Sequence, residues 1–197
     1  SFTITGAAAP TQALAATPYV SRKTHGAAGT FDITIDPAGS ATAGQSVTVE
    51  PRQAQSGAHQ IVIAFTSAVS SAQFPTVTAA AGVTSLPVAT AFNGNEMTVT
   101  IGSAGTPVAD GARVTVSATG VGTAAGVNPS VVVAFLLGDV DGSRQVTGTD
   151  INATKSSAAT GTVNASTFRR DVNVDGNISG TDVNVVKSRA ASSTGPI

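Results

Sequence analysis

Six of the 11 acidic residues, Asp139, Asp141, Asp150, Asp171, Asp175 and Asp182, fall in two twelve-residue stretches, 139–150 and 171–182. The second stretch reads D-V-N-V-D-G-N-I-S-G-T-D. It sets Asp171, Asn173 and Asp175 at positions 1, 3 and 5, Gly176 at 6, and Asn177, Ser179 and Asp182 at 7, 9 and 12. A hard cation the size of calcium takes about six to eight oxygens, and a loop that turns sharply at a glycine aims alternate side chains at one point. Asn177 contributes a main-chain carbonyl in this scheme. The spacing predicts a calcium site.

The first stretch, D-V-D-G-S-R-Q-V-T-G-T-D, supplies Asp139, Asp141, Ser143, Thr147 and Asp150 at the same positions, with Gln145 at the carbonyl position. Arg144 stands where the second loop has its glycine. A positive φ is expected there, and a side chain with a Cβ resists it at a cost of about 1 kcal/mol. Gly142, two residues earlier, takes up part of the turn. The expectation is therefore two calcium ions, the first bound more weakly. Asx-type turns alone would explain one such loop, but they do not explain two loops with matching sequences after them.

That match runs on as T-D-I-N-A-T-K-S at 149–156 and T-D-V-N-V-V-K-S at 181–188, at a constant offset of 171 − 139 = 32 residues. Each loop is expected to open a short helix. Ile151, Val183, Val185 and Val186 would pack the two helices together, and Lys155 and Lys187 suit their C-terminal ends. An EF-hand-like loop with only its following helix, occurring twice, resembles the type I dockerin module of secreted bacterial proteins. The resemblance covers 138 to about 191 and rests on G-D-V-D and D-V-N-V-D-G followed by T-D-V-N-V-V-K. It implies a calcium-folded adhesion module that plugs into a cohesin β-sandwich on another protein. Recognition in that family uses residues late in the loop and on the helix, which here are Gly148, Thr149, Lys155 and Ser156, and Gly180, Thr181, Lys187 and Ser188. The glycines replace small polar or apolar contact residues of many dockerins, and the two serines replace a frequent basic residue.

Residues 19–137 are of another kind, rich in Ala, Thr, Val, Gly and Ser with few charges. Apolar residues alternate at Phe31, Ile33, Ile35; Val47, Val49; Ile61, Ile63, Phe65; Met97, Val99, Ile101; Val114, Val116; and Val131, Val133, Phe135, Leu137. Period two marks half-buried strands, and D-P-A-G at 36–39, F-N-G-N at 92–95 and A-D-G-A at 109–112 read as turns between them. The fold class expected is mainly β. It is an Ig-like or jelly-roll-type β-sandwich of about seven to nine strands, with an extended N-terminal arm and a small helical module at 138–197. Seven Phe, one Tyr, one Met and no Trp give it a core of small side chains.

The arm, 1–18, begins S-F-T-I-T-G with Phe2 and Ile4 on one face, and A-A-A-P-T-Q-A-L-A-A-T-P separates it from Tyr19. Such a strand either folds back on its own sheet or joins a neighbour's by strand addition, and the second arrangement propagates head to tail into a ring or an open filament. A self-assembling structural subunit is the first expectation, and a dockerin-bearing component for a cohesin-like partner the alternative. Zero cysteines exclude thiolate chemistry, and a net charge of −1 with no basic stripe argues against nucleic acid. A start at Ser1 fits a mature secreted product, and the calcium that such modules use is plentiful outside the cell. No small-molecule substrate is evident. His25 and His59 are the two histidines, and S-R-K-T-H-G at 21–26 reads as a polar strand entry rather than an active site, because no third group to orient a base is legible.

Overall fold

The computed structural model describes residues 12–74, 76–120 and 127–194. Ten strands occur among these residues: β1 Leu14–His25, β2 Gly29–Thr34, β3 Thr48–Glu50, β4 Ala58–Phe65, β5 Thr76–Ala81, β6 Thr84–Leu86, β7 Val88–Asn93, β8 Glu96–Gly102, β9 Arg113–Thr119 and β10 Ser130–Phe135. They form two five-stranded sheets, ordered β2-β1-β4-β8-β7 and β3-β10-β9-β5-β6. Every pairing is antiparallel except β10 with β3. Two helices follow, α1 Gly148–Ala158 and α2 Gly180–Ser188, so the fold is mainly β with its helices near the C-terminus.

The two sheets share one apolar core, in which Ile61, Ile63, Met97 and Ile101 of the first meet Val114, Val116, Val131 and Val133 of the second. β8 shows the expected alternation cleanly, with Met97, Val99 and Ile101 fully buried and their neighbours half-exposed. Strands β5 to β7 escaped the periodic reading because Ala and Thr alternate there with little apolar contrast.

β1 begins at Leu14, five residues ahead of the boundary placed at Tyr19. The stretch 14–18 belongs to this chain's own sheet and is no spacer. Ahead of it, the Ala13 carbonyl accepts from Thr66 N at 2.9 Å, and buried Gln12 exchanges hydrogen bonds with Ser67. The β1–β4 register shifts between Leu14 and Tyr19. Pro18 lies in that interval, where a residue without an N–H is tolerated. The strand at Phe2 and Ile4 lies outside the described residues.

A second apolar core lies on the outer face of the β3–β10 sheet. Val47, Val49, Ala134 and Leu136 meet Val140, Val146, Val172 and Val186 of the C-terminal segment. The alternation at Val47 and Val49 thus faces this second core rather than the first. β10 is covered on both faces, which is why consecutive residues Val133, Ala134 and Phe135 are all buried. No spacer separates the regions, since Gly138 N already donates to the Pro51 carbonyl at 2.9 Å.

Candidate metal centre

Position 9 of each loop is also the N-cap of the following helix. Thr147 and Ser179 accept from the main chain of α1 and α2, while Asp150 and Asp182 reach back to the cap residue's N–H in a capping box. The last carboxylate of each loop is therefore oriented by the helix it opens. Val146 and Ile178, at position 8, are buried and anchor the loops to the module's interior.

The bonds to the first and last carboxylates recur in both loops at the 32-residue offset. Asp139 accepts from Arg144 N at 2.7 Å, as Asp171 does from Gly176 N at 2.9 Å. Asp150 accepts from Asp141 N at 3.2 Å and Thr147 N at 2.8 Å, as Asp182 does from Asn173 N at 3.3 Å and Ser179 N at 2.8 Å. Ser143 Oγ donates to the Gln145 carbonyl at 3.0 Å, which brings those two oxygens to one side of the first loop. In the second, Asn173 Nδ2 donates to Asp175 at 2.9 Å, and Asp175 in turn accepts from Asn177 N at 2.9 Å.

These residues fit a cation. Asp139, Asp150, Asp171 and Asp182 are all 0% exposed, and carboxylates of Asp139, Asp141 and Asp150 lie within 4.8 Å of one another. Burial, and behind it the Asp141 and Asp150 carboxylates, push Asp139 up to about 7 against the opposing N–H of Arg144. Burial also raises Asp182, with Asp171 and Asp175 adding to it and the N–H groups of Ser179 and Asn173 opposing. Carboxylates gathered this closely suit a hard cation, with Arg169 beside Asp141 of the first loop and His25 against Asp171 in the second.

Arg144 has the expected positive φ, 75°, but the ranking of the loops built on it does not follow. Both loops turn left-handed at positions 4 and 6: Gly142 at 78° and Arg144 at 75° in the first, Val174 at 57° and Gly176 at 92° in the second. Each loop thus carries one glycine and one side chain in that region. The β-branched Val174 is the more strained of the two side chains. Arg144 also has a use for its side chain, donating from Nη1 to the Gly44 and Gln45 carbonyls, both at 3.0 Å.

Alternate residues of the S-R-K-T-H-G stretch face inward, while Arg22 is half-buried and Thr24 and Gly26 are exposed. The stretch ends strand β1 as expected, but Ser21, Lys23 and His25 are 0–1% exposed, so its polar side chains at these positions point inward. Arg52 satisfies all five of its donors there: a bidentate pair with Glu50 at 2.7 Å, the Ser21 and Phe31 carbonyls, and His25 Nε2 at 3.1 Å. Ser21 donates to Glu50 as well. Burial alone would raise Glu50, but Arg52 holds it at about 2. Burial lowers Lys23 to about 8, with Glu50 opposing and Arg52 assisting. His25 then reaches out of the β-domain, its Nδ1 at 2.8 Å from Asp171 of the second loop. Nothing local in the sequence connects His25 with Asp171, 146 positions apart.

This geometry has a familiar outline. Residues 137–189 match the family model of the type I dockerin domain. Dockerin domains are non-catalytic protein–protein interaction modules, and the β-domain lies outside the match. No curated protein and no solved structure matches the chain. Among the described residues, no helix is long and apolar enough to cross a membrane. The positions tied to recognition in dockerins, Gly148, Thr149, Lys155 and Ser156 with Gly180, Thr181, Lys187 and Ser188, are all exposed.

Proposed function

We propose that this is an extracellular, non-catalytic binding protein whose dockerin segment holds two calcium ions and presents its helices to a cohesin-like partner. One observation carries the reading. On the two helices, at the 32-residue offset, the exposed positions repeat identically, Gly148/Gly180, Thr149/Thr181, Asn152/Asn184, Lys155/Lys187 and Ser156/Ser188, whereas apart from the loop carboxylates Asp150/Asp182 the inward ones differ, Ile151/Val183, Ala153/Val185 and Thr154/Val186. The same polar face is displayed twice over cores that were free to diverge, as a surface read by a partner would be.

Calcium would cancel the charge of the gathered carboxylates. Asp139, Asp141, Ser143, the Gln145 carbonyl, Thr147 and Asp150 would hold the first ion. Asp171, Asn173, Asp175, the Asn177 carbonyl, Ser179 and Asp182 would hold the second. The β-domain, an Ig-like or jelly-roll-type sandwich in this reading, serves as the platform. The filament reading rested on Phe2 and Ile4, outside the described residues, while Gln12, Ala13 and Leu14 pair within the chain. The dockerin reading is therefore the one the geometry favours.

Calorimetric titration of the full chain should show two calcium ions bound, and immobilised cohesin domains should retain the wild type in calcium but not a Thr149→Glu, Thr181→Glu double variant. Absence of calcium binding, or equal retention of the variant, overturns the reading. Light scattering on the same samples tests assembly: particles that grow with concentration in calcium, and that revert to monomer when residues 1–11 are deleted, would restore the filament.

A further inference from the structure

We propose that the second calcium loop is completed by the β-domain: His25 positions Asp171, so that filling the loop and docking it onto β1 are one coupled event. This rests on the calcium reading above and names a residue outside the dockerin segment as part of the site's support.

The hydrogen bonds fix the direction of the chain. A guanidinium can only donate, so Arg52 Nη1 at 3.1 Å requires His25 Nε2 to accept, which puts the proton on Nδ1. Nδ1 therefore donates to Asp171 Oδ2 at 2.8 Å. That oxygen also accepts from Gly176 N at 2.9 Å, and Oδ1 takes Asp175 N at 3.2 Å. Two donors on Oδ2 turn the carboxylate so that Oδ1 is the more available to a cation. Oxygens that ligate a metal are commonly oriented by such outer partners. The relay runs Glu50, Arg52, His25, Asp171, entirely buried.

Backbone shape enforces the same contact. A Cβ on Gly26 would lie 2.2 Å from the Asp175 carbonyl oxygen, and one on Gly176 would lie 2.7 Å from that of His25. The short 3-10 turn Gly26–Ala28 between β1 and β2 is therefore seated on the loop at positions 5 and 6. Phe168, just before the loop, stacks on Phe31 of β2 at 5.3 Å and lies edge-on to His25 at 6.1 Å. The Gln53 N–H donates to the Val172 carbonyl at 2.7 Å, inside the loop itself. Among the described residues the donors to Asp139 are Gly142, Ser143 and Arg144, all within its own loop. By linkage, a contact that orients a ligand in the docked state must in turn be strengthened when the ion binds.

The test is calcium titration of the full chain by calorimetry, with Asp141→Ala or Asp175→Ala to silence one loop at a time. His25→Ala should weaken the second loop roughly tenfold or more and leave the first unchanged. His25→Asn, whose amide can place a donor near the position of Nδ1, should recover most of that loss. A merely structural role would depress both loops and would not be rescued. Hydrogen exchange on the wild type gives a second measure, since amides at 24–28 should gain protection on adding calcium. Two sites of unchanged affinity in His25→Ala, or no added protection at 24–28, overturn the coupling while the calcium reading stands. A wild type that binds no calcium removes both.

Discussion

At position 6 the first loop meets the β-domain through a side chain and the second through bare backbone. Arg144 reaches the Gly44 and Gln45 carbonyls across a half-exposed seam, and Arg113 of β9 meets the same Gln45 carbonyl at 3.0 Å from the other side. Gly176, at the corresponding position, lies flat against His25 and Gly26 with no room for a Cβ. A position that demands positive φ thus has two solutions. A glycine permits close approach. A long cation accepts the strain and spans a gap. Two copies that began alike have diverged at the residue that meets a different neighbour. Between them, Arg169 donates to the Val140 carbonyl at 3.0 Å and the Val49 carbonyl at 3.2 Å, fastening the middle of the seam.

The largest effect expected on this contrast comes from Gly26→Ala. One methyl meets main-chain atoms of Asp175 rather than a flexible side chain, and φ is already +45°. The second loop should lift off, at a cost above about 2 kcal/mol. Limited proteolysis in calcium should show new cuts between 160 and 180, with the β-sheets still protected. An intact module would mean that the seat is compliant.

Acid should separate the two fastenings next. Burial, then Lys23 and Arg52, lower His59 to about 3 against Glu50, and Glu50 itself is held at about 2. Both groups bind more protons unfolded than folded. Their contribution to stability is therefore full above their unfolded values of 6.5 and 4.5 and is lost as pH falls toward 3 and 2. The Arg144 clasp contains no acid to titrate. Melting in saturating calcium should fall between pH 6.5 and 4.5, and His59→Leu should flatten that slope. A slope unchanged in the variant assigns the loss elsewhere.

Arg144 gives a smaller and graded effect. Arg144→Ala keeps the strained φ and loses the clasp, whereas Arg144→Gly loses the clasp but relieves about 1 kcal/mol of strain. Melting temperatures should rank wild type, then Gly, then Ala. A glycine variant above the wild type would show that strain outweighs the clasp. Smallest of all, Val174→Gly should stabilise the second loop by about 0.5 kcal/mol, the difference between left-handed strain and the entropy of glycine in the unfolded chain. Denaturant titration can check its sign.

Much of this was legible in one dimension. The loops, their helices and the helix caps follow from local spacing, because a metal loop and a capping box are each built from residues within twelve positions. Strands with Val, Ile, Phe or Met on every second residue were visible for the same reason. Strands of Ala and Thr were not, since their two faces differ too little in hydrophobicity. At 14–18, composition suggested a leash, but alanine and threonine accept an extended backbone when a neighbouring strand offers hydrogen bonds. Val174 drew no notice because a valine carries no signal of left-handed φ.

The sequence by itself determined that twelve oxygen-bearing positions fall into two calcium-type loops, and that a β-rich region precedes them. Only the tertiary structure decided that Ser21, Lys23 and His25 turn inward, and that Val47 and Val49 face the module. It alone decided that His25 meets Asp171. Those outcomes depend on which surfaces cover one another, and burial by a distant segment leaves no mark on the local pattern of either partner. A buried lysine, arginine, glutamate and histidine look like surface residues until their partners are in place.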